Sequence, residues 1–404
     1  MGAIVNRRSL FEPLGAVKSI VSQNIRRIER ETGSLDFSIS PSLSNALDIL
    51  RSLAAFLVVV NHLGEVLFLF DKDLDLFNLF IFQSLYLGHH SVMILFVVSG
   101  FLIGRAAFQS ISKGGQKIFD YGIDRITRIY VVLIPALLIG FVSDQILMHV
   151  YSGAEFDYLR ERTSFLIFLG NIFGLQTVFV PTFGSNGPLW SLACELWYYL
   201  MFPAFLVGLF GKSLRSRLIG LVGFVAALFI VSGDILHYAV IWCLGVACWL
   251  PKRALVPKWL GWTLLALFLA SANNEFLWTN GWGFHHIAGT ALTVALIINS
   301  HRHDRTVKRD RHGAVSKFFA KFTYSLYLYH YPPLMIVLAL LLKNDFVPFG
   351  HMGLKEAAVT TGLLVLLYAY SYAWFWLTER NYHHFRDFVR MKATPLRAVF
   401  APRV

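Results

Sequence analysis

The stretch Leu47–Leu69, LDILRSLAAFLVVVNHLGEVLFL, decides what kind of protein this is. It is apolar over most of its length, opens with Arg51 near its start, and carries His62 eleven residues further on. Such a run reads as a membrane helix. At 1.5 Å rise per residue His62 lies about 16 Å beyond Arg51, near the middle of a hydrocarbon core roughly 30 Å thick. An ionisable side chain at that depth is costly, so it is kept either by a bond to a neighbouring helix or by a function. This segment alone leaves both readings open.

The rest of the chain agrees with a membrane setting. Of 404 residues 56% are hydrophobic and only 15% charged, against about 25% charged in soluble domains. The formal net charge of +12 would suit nucleic acid, but the Lys and Arg residues stand in short runs between apolar stretches, as cytoplasmic loops require. Nucleic acid is therefore set aside. Cys194, Cys243 and Cys248 fall inside apolar segments without metal-ligand spacing, so neither a disulfide framework nor a metal site is implied.

Residues 1–45 form a basic leader with Arg7, Arg8, Arg26, Arg27 and Arg30 and no signal-peptide pattern, which places the N-terminus in the cytoplasm. Within it Ala16–Glu31 sets Val17, Ile20, Val21, Ile25 and Ile28 at helical spacing opposite basic residues, the pattern of a helix lying on an anionic membrane surface; a solvated leader is an equal reading. Ser40, Pro41 and Ser42 then interrupt any helix before the first span.

Eleven apolar segments follow, at 53–70, 90–108, 129–149, 165–180, 189–210, 218–232, 235–250, 260–276, 284–299, 319–342 and 357–377. With the N-terminus inside, the acidic loop Asp71–Asp75 faces out and the basic loop Arg105–Arg128 faces in, as the positive-inside rule demands. Eleven full crossings would then put Lys212, Arg215 and Arg217, Lys252 to Lys258, Arg302 to Arg311 and the basic C-terminus outside. If 165–180 dips in and returns, all four become cytoplasmic. That segment is short, contains Gly170, Asn171, Gly174 and Gln176, and ends in Pro181, Gly184, Ser185, Asn186, Gly187 and Pro188. Such polar, broken backbone is tolerated at membrane depth only where protein or water satisfies it. The expected fold is therefore an all-α polytopic membrane protein with about ten transmembrane helices plus one re-entrant segment and both termini cytoplasmic. The chain divides into the leader 1–45, a membrane domain 46–380 and a basic cytoplasmic tail 381–404, with no appended soluble domain and no internal repeat.

On this topology Arg51, Arg105, Arg125 and Arg128 meet at the cytoplasmic mouth, and Arg125 and Arg128 in DRITR share a helix face. Guanidinium groups grip phosphate bidentately, so the cluster suits a polyanionic ligand; ordinary anchoring at lipid headgroups is the alternative. Deeper lie His62, Glu195 and His330, which are expected to meet around one polar cavity. Glu195 could instead be a structural ion-pair member, and His330, just before Pro332 and Pro333, could satisfy carbonyls freed by a kink. Trp190 and Ser191 adjoin the re-entrant break, and Tyr327 belongs to an aromatic run, Thr323–His330. His89 and His90 stand at the outer end of the second span, where either could contact an acceptor or sit at the interface, and Ser99 and Gly100 permit close helix contact. Phosphate-gripping arginines beside a buried base are the layout of a transferase, and the same residues would equally serve as a proton relay in a transporter or glycan-export protein.

Taken together, LDILRSLAAFLVVVNH with Arg51 and His62, SVMILFVVSGFLI, DRITRIY, GPLWSLACELWYYLMFP with Glu195, and TYSLYLYHYPPL make the chain resemble acyltransferase family 3, over about 45–380. Ser52 stands where the family usually has glycine after the arginine. The resemblance implies an enzyme that uses an acyl-CoA, most often acetyl-CoA, from the cytoplasm and no metal. It implies His62 as the catalytic histidine, either deprotonating the acceptor hydroxyl or carrying the acyl group, and Glu195 as orienting or activating a partner. Arg51, Arg125 and Arg128 would hold the CoA phosphates, with Trp190, Ser191, Tyr327 and His330 at the substrate. The expected function is O-acyl transfer, acetyl by preference, to a hydroxyl of a surface polysaccharide or its lipid-linked precursor in the bacterial cytoplasmic membrane. Its partners would be the acyl-CoA, the glycan acceptor and membrane lipids, and a homo-oligomer is compatible with the sequence.

Overall fold

The computed structural model describes residues 38–68, 87–113, 115–151, 153–272, 283–304 and 313–395. The leader helix expected at Ala16–Glu31, the loop Asp71–Asp75 and the end of the tail lie outside them. Among the described residues there is no strand, only helices and two isolated bridges. Among the described residues six helical stretches are long and apolar enough to cross a membrane, as an integral membrane protein requires.

Helix α1 (Pro41–Leu67) begins where the Ser-Pro signal stands: the Ser40 hydroxyl accepts from the Leu43 N–H at 3.2 Å, and Pro41 takes the first helical position, where its missing N–H costs nothing. Because α1 starts ten residues before Arg51 and ends at Leu67, His62 sits five residues from its C-terminal end rather than at its middle. Helix α2 (Gly88–Lys113) is the most deeply buried of the six candidates and is packed by α1, by α3 (Gly115–Val150), by α6 (Leu189–Phe210), by α8 (Gly233–Ala247) and by α10 (Gly283–Arg302). Glycine permits its closest approach. A Cβ on Gly100 would overlap the Trp242 carbonyl, and one on Gly245 would overlap the Val97 carbonyl, so the backbones of α2 and α8 lie against each other as FVVSGFL predicts.

The segment expected to dip and return is not one spanning helix. After the short α4 (Tyr158–Arg162), α5 covers only Phe165–Ile172, about 12 Å of helix, and irregular chain carries on to Pro188. The protein satisfies this irregular backbone with buried side chains. Asn171 Nδ2 donates to the Pro181 carbonyl at 3.0 Å while its Oδ1 accepts from the Phe183 N–H at 3.0 Å. Gln176 donates to the Leu189 carbonyl, Asn186 to the Leu328 carbonyl, and Trp197 to the Gly174 carbonyl. Gly184, at φ 59°, lies so close to the Asp144 carboxylate that no Cβ fits, and the next N–H, that of Ser185, donates to Asp144 Oδ2 at 3.0 Å.

Helices α7 (Leu214–Ile230) and α9 (Lys258–Ala270) complete the apolar middle of the chain. The stretch expected as one span at 319–342 is in three pieces: α11 (Gly313–Ala320), α12 (Thr323–Tyr329) and α13 (Tyr331–Lys343), broken at His330 ahead of Pro332 and Pro333. Helix α14 (Leu354–Leu377) is apolar all round and little buried, with Val365 and Leu366 open on its outside, as a lipid-facing helix is. The short α15 (Tyr382–Lys392) returns to pack on α3.

Candidate active site

Five helices build a cavity of about 170 Å³: α2 supplies most of its apolar wall, and its polar lining includes Arg51 of α1, Arg125 and Arg128 of α3, Ser191 and Glu195 of α6, and Tyr327 of α12. Helical spacing delivers these side chains in pairs, Arg125 with Arg128 at i,i+3 and Ser191 with Glu195 at i,i+4. Arg51 pairs with Asp48 at 2.5 Å. The Arg128 guanidinium lies 3.9 Å from buried Glu379, whose other oxygen accepts from the Ser325 hydroxyl at 2.7 Å. Arg125 has its guanidinium carbon 5.6 Å from the Tyr121 ring centroid, and its Nε is buried without a hydrogen-bond partner. Glu195 accepts from the Tyr199 hydroxyl at 3.1 Å, which in turn lies 3.1 Å from Ser99 Oγ, itself accepting from Trp242 Nε1 at 3.3 Å. This chain of bonds ties the carboxylate to the α2–α8 contact.

His62 and His330 stand apart from that cavity, in a cluster of their own. Their rings stack with centroids 5.4 Å apart, and Tyr331 meets His62 edge-on at 4.9 Å. His62 Nδ1 is 3.0 Å from Glu65 Oε2, and Asn61 donates to the other Glu65 oxygen at 2.7 Å. The Asn61 carbonyl oxygen also accepts from the Gly88 N–H, joining α1 to the start of α2. A carboxylate only accepts, so Glu65 holds the proton on Nδ1 and leaves Nε2 of a neutral His62 as the basic nitrogen. In His330 it is also Nδ1 that bonds, to the Leu326 and Tyr327 carbonyls at 2.9 and 3.0 Å, whereas the Leu328 carbonyl that Pro332 releases accepts from Asn186; Nε2 is buried without a partner.

The expectation that His62, His330 and Glu195 share one cavity is thus corrected: the imidazoles meet each other, and Glu195 faces the arginines. Tyr327 touches both groups. Its hydroxyl is 2.6 Å from Ser191 Oγ and donates to the Pro188 carbonyl at 3.1 Å, while its ring lies 6.2 Å from that of His330. This bonded pair lines the arginine cavity on the side where the Tyr327 ring adjoins His330. Trp190 lies outside the cavity, 6.0 Å from the exposed His89 ring and 5.2 Å from Tyr238. His90 is buried against Thr290 at 2.8 Å. Among the described residues no group of three or more His, Cys, Asp or Glu is placed to hold a metal ion.

Several site residues are not singled out by the sequence. Glu65 and Tyr199 were within reach of it, since they stand three and four residues after His62 and Glu195 on the same helical faces. Glu379 was not, because it stands 251 positions after Arg128 and only the fold brings the two together.

The fold and site define an integral membrane protein with an arginine-lined cavity and, apart from it, a carboxylate-held histidine. The acyltransferase domain of family 3 matches residues 44–380, so the chain belongs to that family. It is similar to an uncharacterised protein of Haemophilus influenzae, 30% identical over 135 residues, 32% of this chain and 54% of that one. It is also similar to YrhL of Bacillus subtilis, whose name proposes a peptidoglycan O-acetyltransferase, at 28% over 162 residues, 37% of this chain and 24% of the relative. A third relative, named as an O-acetyl transferase of Shigella phage Sf6, is 27% identical over 160 residues, 39% of this chain and 44% of the relative. The matched stretches thus cover about half the length of the first relative and less of the other two. No solved structure matches the chain.

Proposed function

We propose that the protein is an O-acetyltransferase of the bacterial cytoplasmic membrane, moving the acetyl group of acetyl-CoA to a hydroxyl of a cell-surface polysaccharide or its lipid-linked precursor. One observation carries the reading: an arginine cavity suited to phosphates ends at Tyr327, whose ring adjoins the His330–His62 stack with the Glu65 carboxylate behind it. The family and the names of two relatives support acyl transfer to oxygen.

In this reading the topology is ten spans, formed by α1, α2, α3, α6, α7, α8, α9, α10, the broken α12–α13 pair and α14, with α5 re-entrant and both termini cytoplasmic. The membrane domain is 46–380, flanked by the leader 1–45 and tail 381–404. Helical segments at each of these positions and the satisfied, non-helical 173–188 support it. Arg51, Arg125 and Arg128 then face the cytoplasm and take the donor's diphosphate, and Glu195 positions the donor chain among them. His62 lies toward the outer end of α1, where the acceptor arrives past Trp190.

His62 Nε2 removes the proton of the acceptor hydroxyl. The acceptor oxygen bonds to the thioester carbonyl carbon, the C–S bond breaks, and the departing CoA sulfur takes up a proton. Glu65 favours the imidazolium formed on the way, as a carboxylate behind a general base does. Because Tyr327 and Ser191 stand between the two compartments, the donor must displace their contact, or Tyr327 must turn, for the thioester to reach His62.

Purified full-length protein with radiolabelled acetyl-CoA and a cell-envelope glycan fraction tests the reading. Transfer of label by the wild type and its loss in His62→Ala is the expected result; a protein that neither binds CoA nor transfers label would return His62 to a proton path in a transporter.

A further inference from the structure

A second, larger cavity of about 380 Å³ adjoins the first, and Arg125 borders both. Its charged lining is Lys117, Asp120, Asp124 and Arg125 of α3 and Arg390 of α15. Each carboxylate already has a cation: Lys117 lies 3.6 Å from Asp120, and Arg390 Nη2 is 2.6 Å from Asp124. What remains unspent is positive, namely Arg125 and the rest of the Arg390 guanidinium, and in both residues Nε is buried without a hydrogen-bond partner. Two guanidinium groups lining one cavity, with no carboxylate left to neutralise Arg125 and only one Arg390 nitrogen engaged, suit an anionic acceptor. Size separates the roles of the two spaces. About 170 Å³ admits an unbranched chain, whereas about 380 Å³ falls within the range of small-molecule sites.

Resting on the donor reading above, we infer that the outer cavity takes the nucleotide end of the acyl donor, with Arg390 as a ligand to its ribose-borne phosphate and Arg125 at the joint where the diphosphate and the donor's thinner chain enter the inner cavity of Arg51 and Arg128. Helix α15 lies beyond residues 44–380, so this ligand comes from a part of the chain outside the matched family domain. The Asp124–Arg390 pair then has a purpose beyond packing α15 on α3: it aims the guanidinium into the cavity while leaving nitrogen donors for phosphate.

The test compares binding of CoA with binding of pantetheine, which lacks the nucleotide, to the full-length protein in detergent. Arg390→Gln is expected to weaken CoA about tenfold, the scale of one charge-assisted phosphate contact, and to leave pantetheine unchanged. Lys117→Gln, altering the opposite wall without touching α15, is expected to weaken CoA a few-fold with pantetheine again unchanged. Asp124→Asn separates ligand binding from structure: it removes a negative charge from the cavity and should leave CoA affinity equal or higher. Arg386→Gln on the same helix, where the arginine pairs with neighbouring Asp387, should change neither ligand. CoA affinity unaltered by Arg390→Gln, or weakened to the same degree by Arg390→Gln and Asp124→Asn, would overturn the proposal while leaving the donor reading standing. A wild-type protein that does not bind CoA would remove the donor reading, and this inference with it.

Discussion

Glu65 offers the sharpest perturbation of the proposed chemistry, because it touches His62 and is far along α1 from the arginines. Its carboxylate accepts from His62 Nδ1 at 3.0 Å and from Asn61 at 2.7 Å. A hydrogen bond to a charged partner contributes about 1.5–3 kcal/mol, and a neutral one about 0.5–1.5 kcal/mol. Glu65→Gln keeps an acceptor but removes the charge that stabilises the imidazolium. With the Glu65 side chain 55% exposed, solvent screening places the loss near the low end, about 1 kcal/mol, or roughly fivefold in kcat. Glu65→Ala removes the bond entirely, and about 2 kcal/mol corresponds to roughly thirtyfold. Initial rates of labelled acetyl transfer at saturating donor measure both. The KM for acetyl-CoA should stay constant, since the donor phosphates are held elsewhere, and His62→Ala/Glu65→Ala should be no slower than His62→Ala alone, as two residues acting through one group are not additive. Full activity of Glu65→Ala, or a loss that multiplies that of His62→Ala, would refute the pairing.

Further consequences can be checked separately. Arg125→Ala should raise the KM for acetyl-CoA about tenfold while leaving the acceptor KM within twofold, because a phosphate contact acts on binding. Gly100→Val pushes side-chain atoms into the Trp242 carbonyl and should cost more than about 3 kcal/mol, seen as loss of a monodisperse, folded protein in detergent. Asn171→Ala strands the buried Phe183 N–H and frees the partly buried Pro181 carbonyl, and should lower stability by about 1–3 kcal/mol, read as a reduced thermal midpoint. A topology reporter inserted after Arg215 should read cytoplasmic; a periplasmic signal would make 165–180 a full crossing.

Much of this arrangement is legible in the sequence because it depends on local rules. Ser40-Pro41 marks a helix start, and Ser99-Gly100 marks a close helix contact. Asn171, Gly174 and Gln176 signal a segment that cannot be one apolar helix, and the structure shows where its polar groups go. Arg51, Arg125 and Arg128 do meet at one cavity, though without Arg105, and the carbonyl that Pro332 releases, that of Leu328, is satisfied by Asn186 rather than by His330. Sequence spacing fixes how far residues lie along one helix but not how far that helix extends or how neighbours are staggered. Hence the real start of α1 moves His62 toward an end, and the relative height of α6 and α12 places Ser191 and Tyr327, rather than open space, between Glu195 and the histidines. Contacts such as Arg128 with Glu379 and Arg390 with Asp124 join distant parts of the chain, and no local pattern announces them.

The central claim is that one acyl donor links the arginine cavity to His62. A structure of the full-length protein with a non-hydrolysable acetyl-CoA analogue measures this directly. The account predicts its diphosphate on Arg51, Arg125 and Arg128, the Ser191–Tyr327 contact opened, and the acyl carbonyl within reach of an acceptor bound at His62 Nε2. A diphosphate held away from these arginines, or an acyl end confined below an intact Ser191–Tyr327 contact with no path to His62, would contradict it.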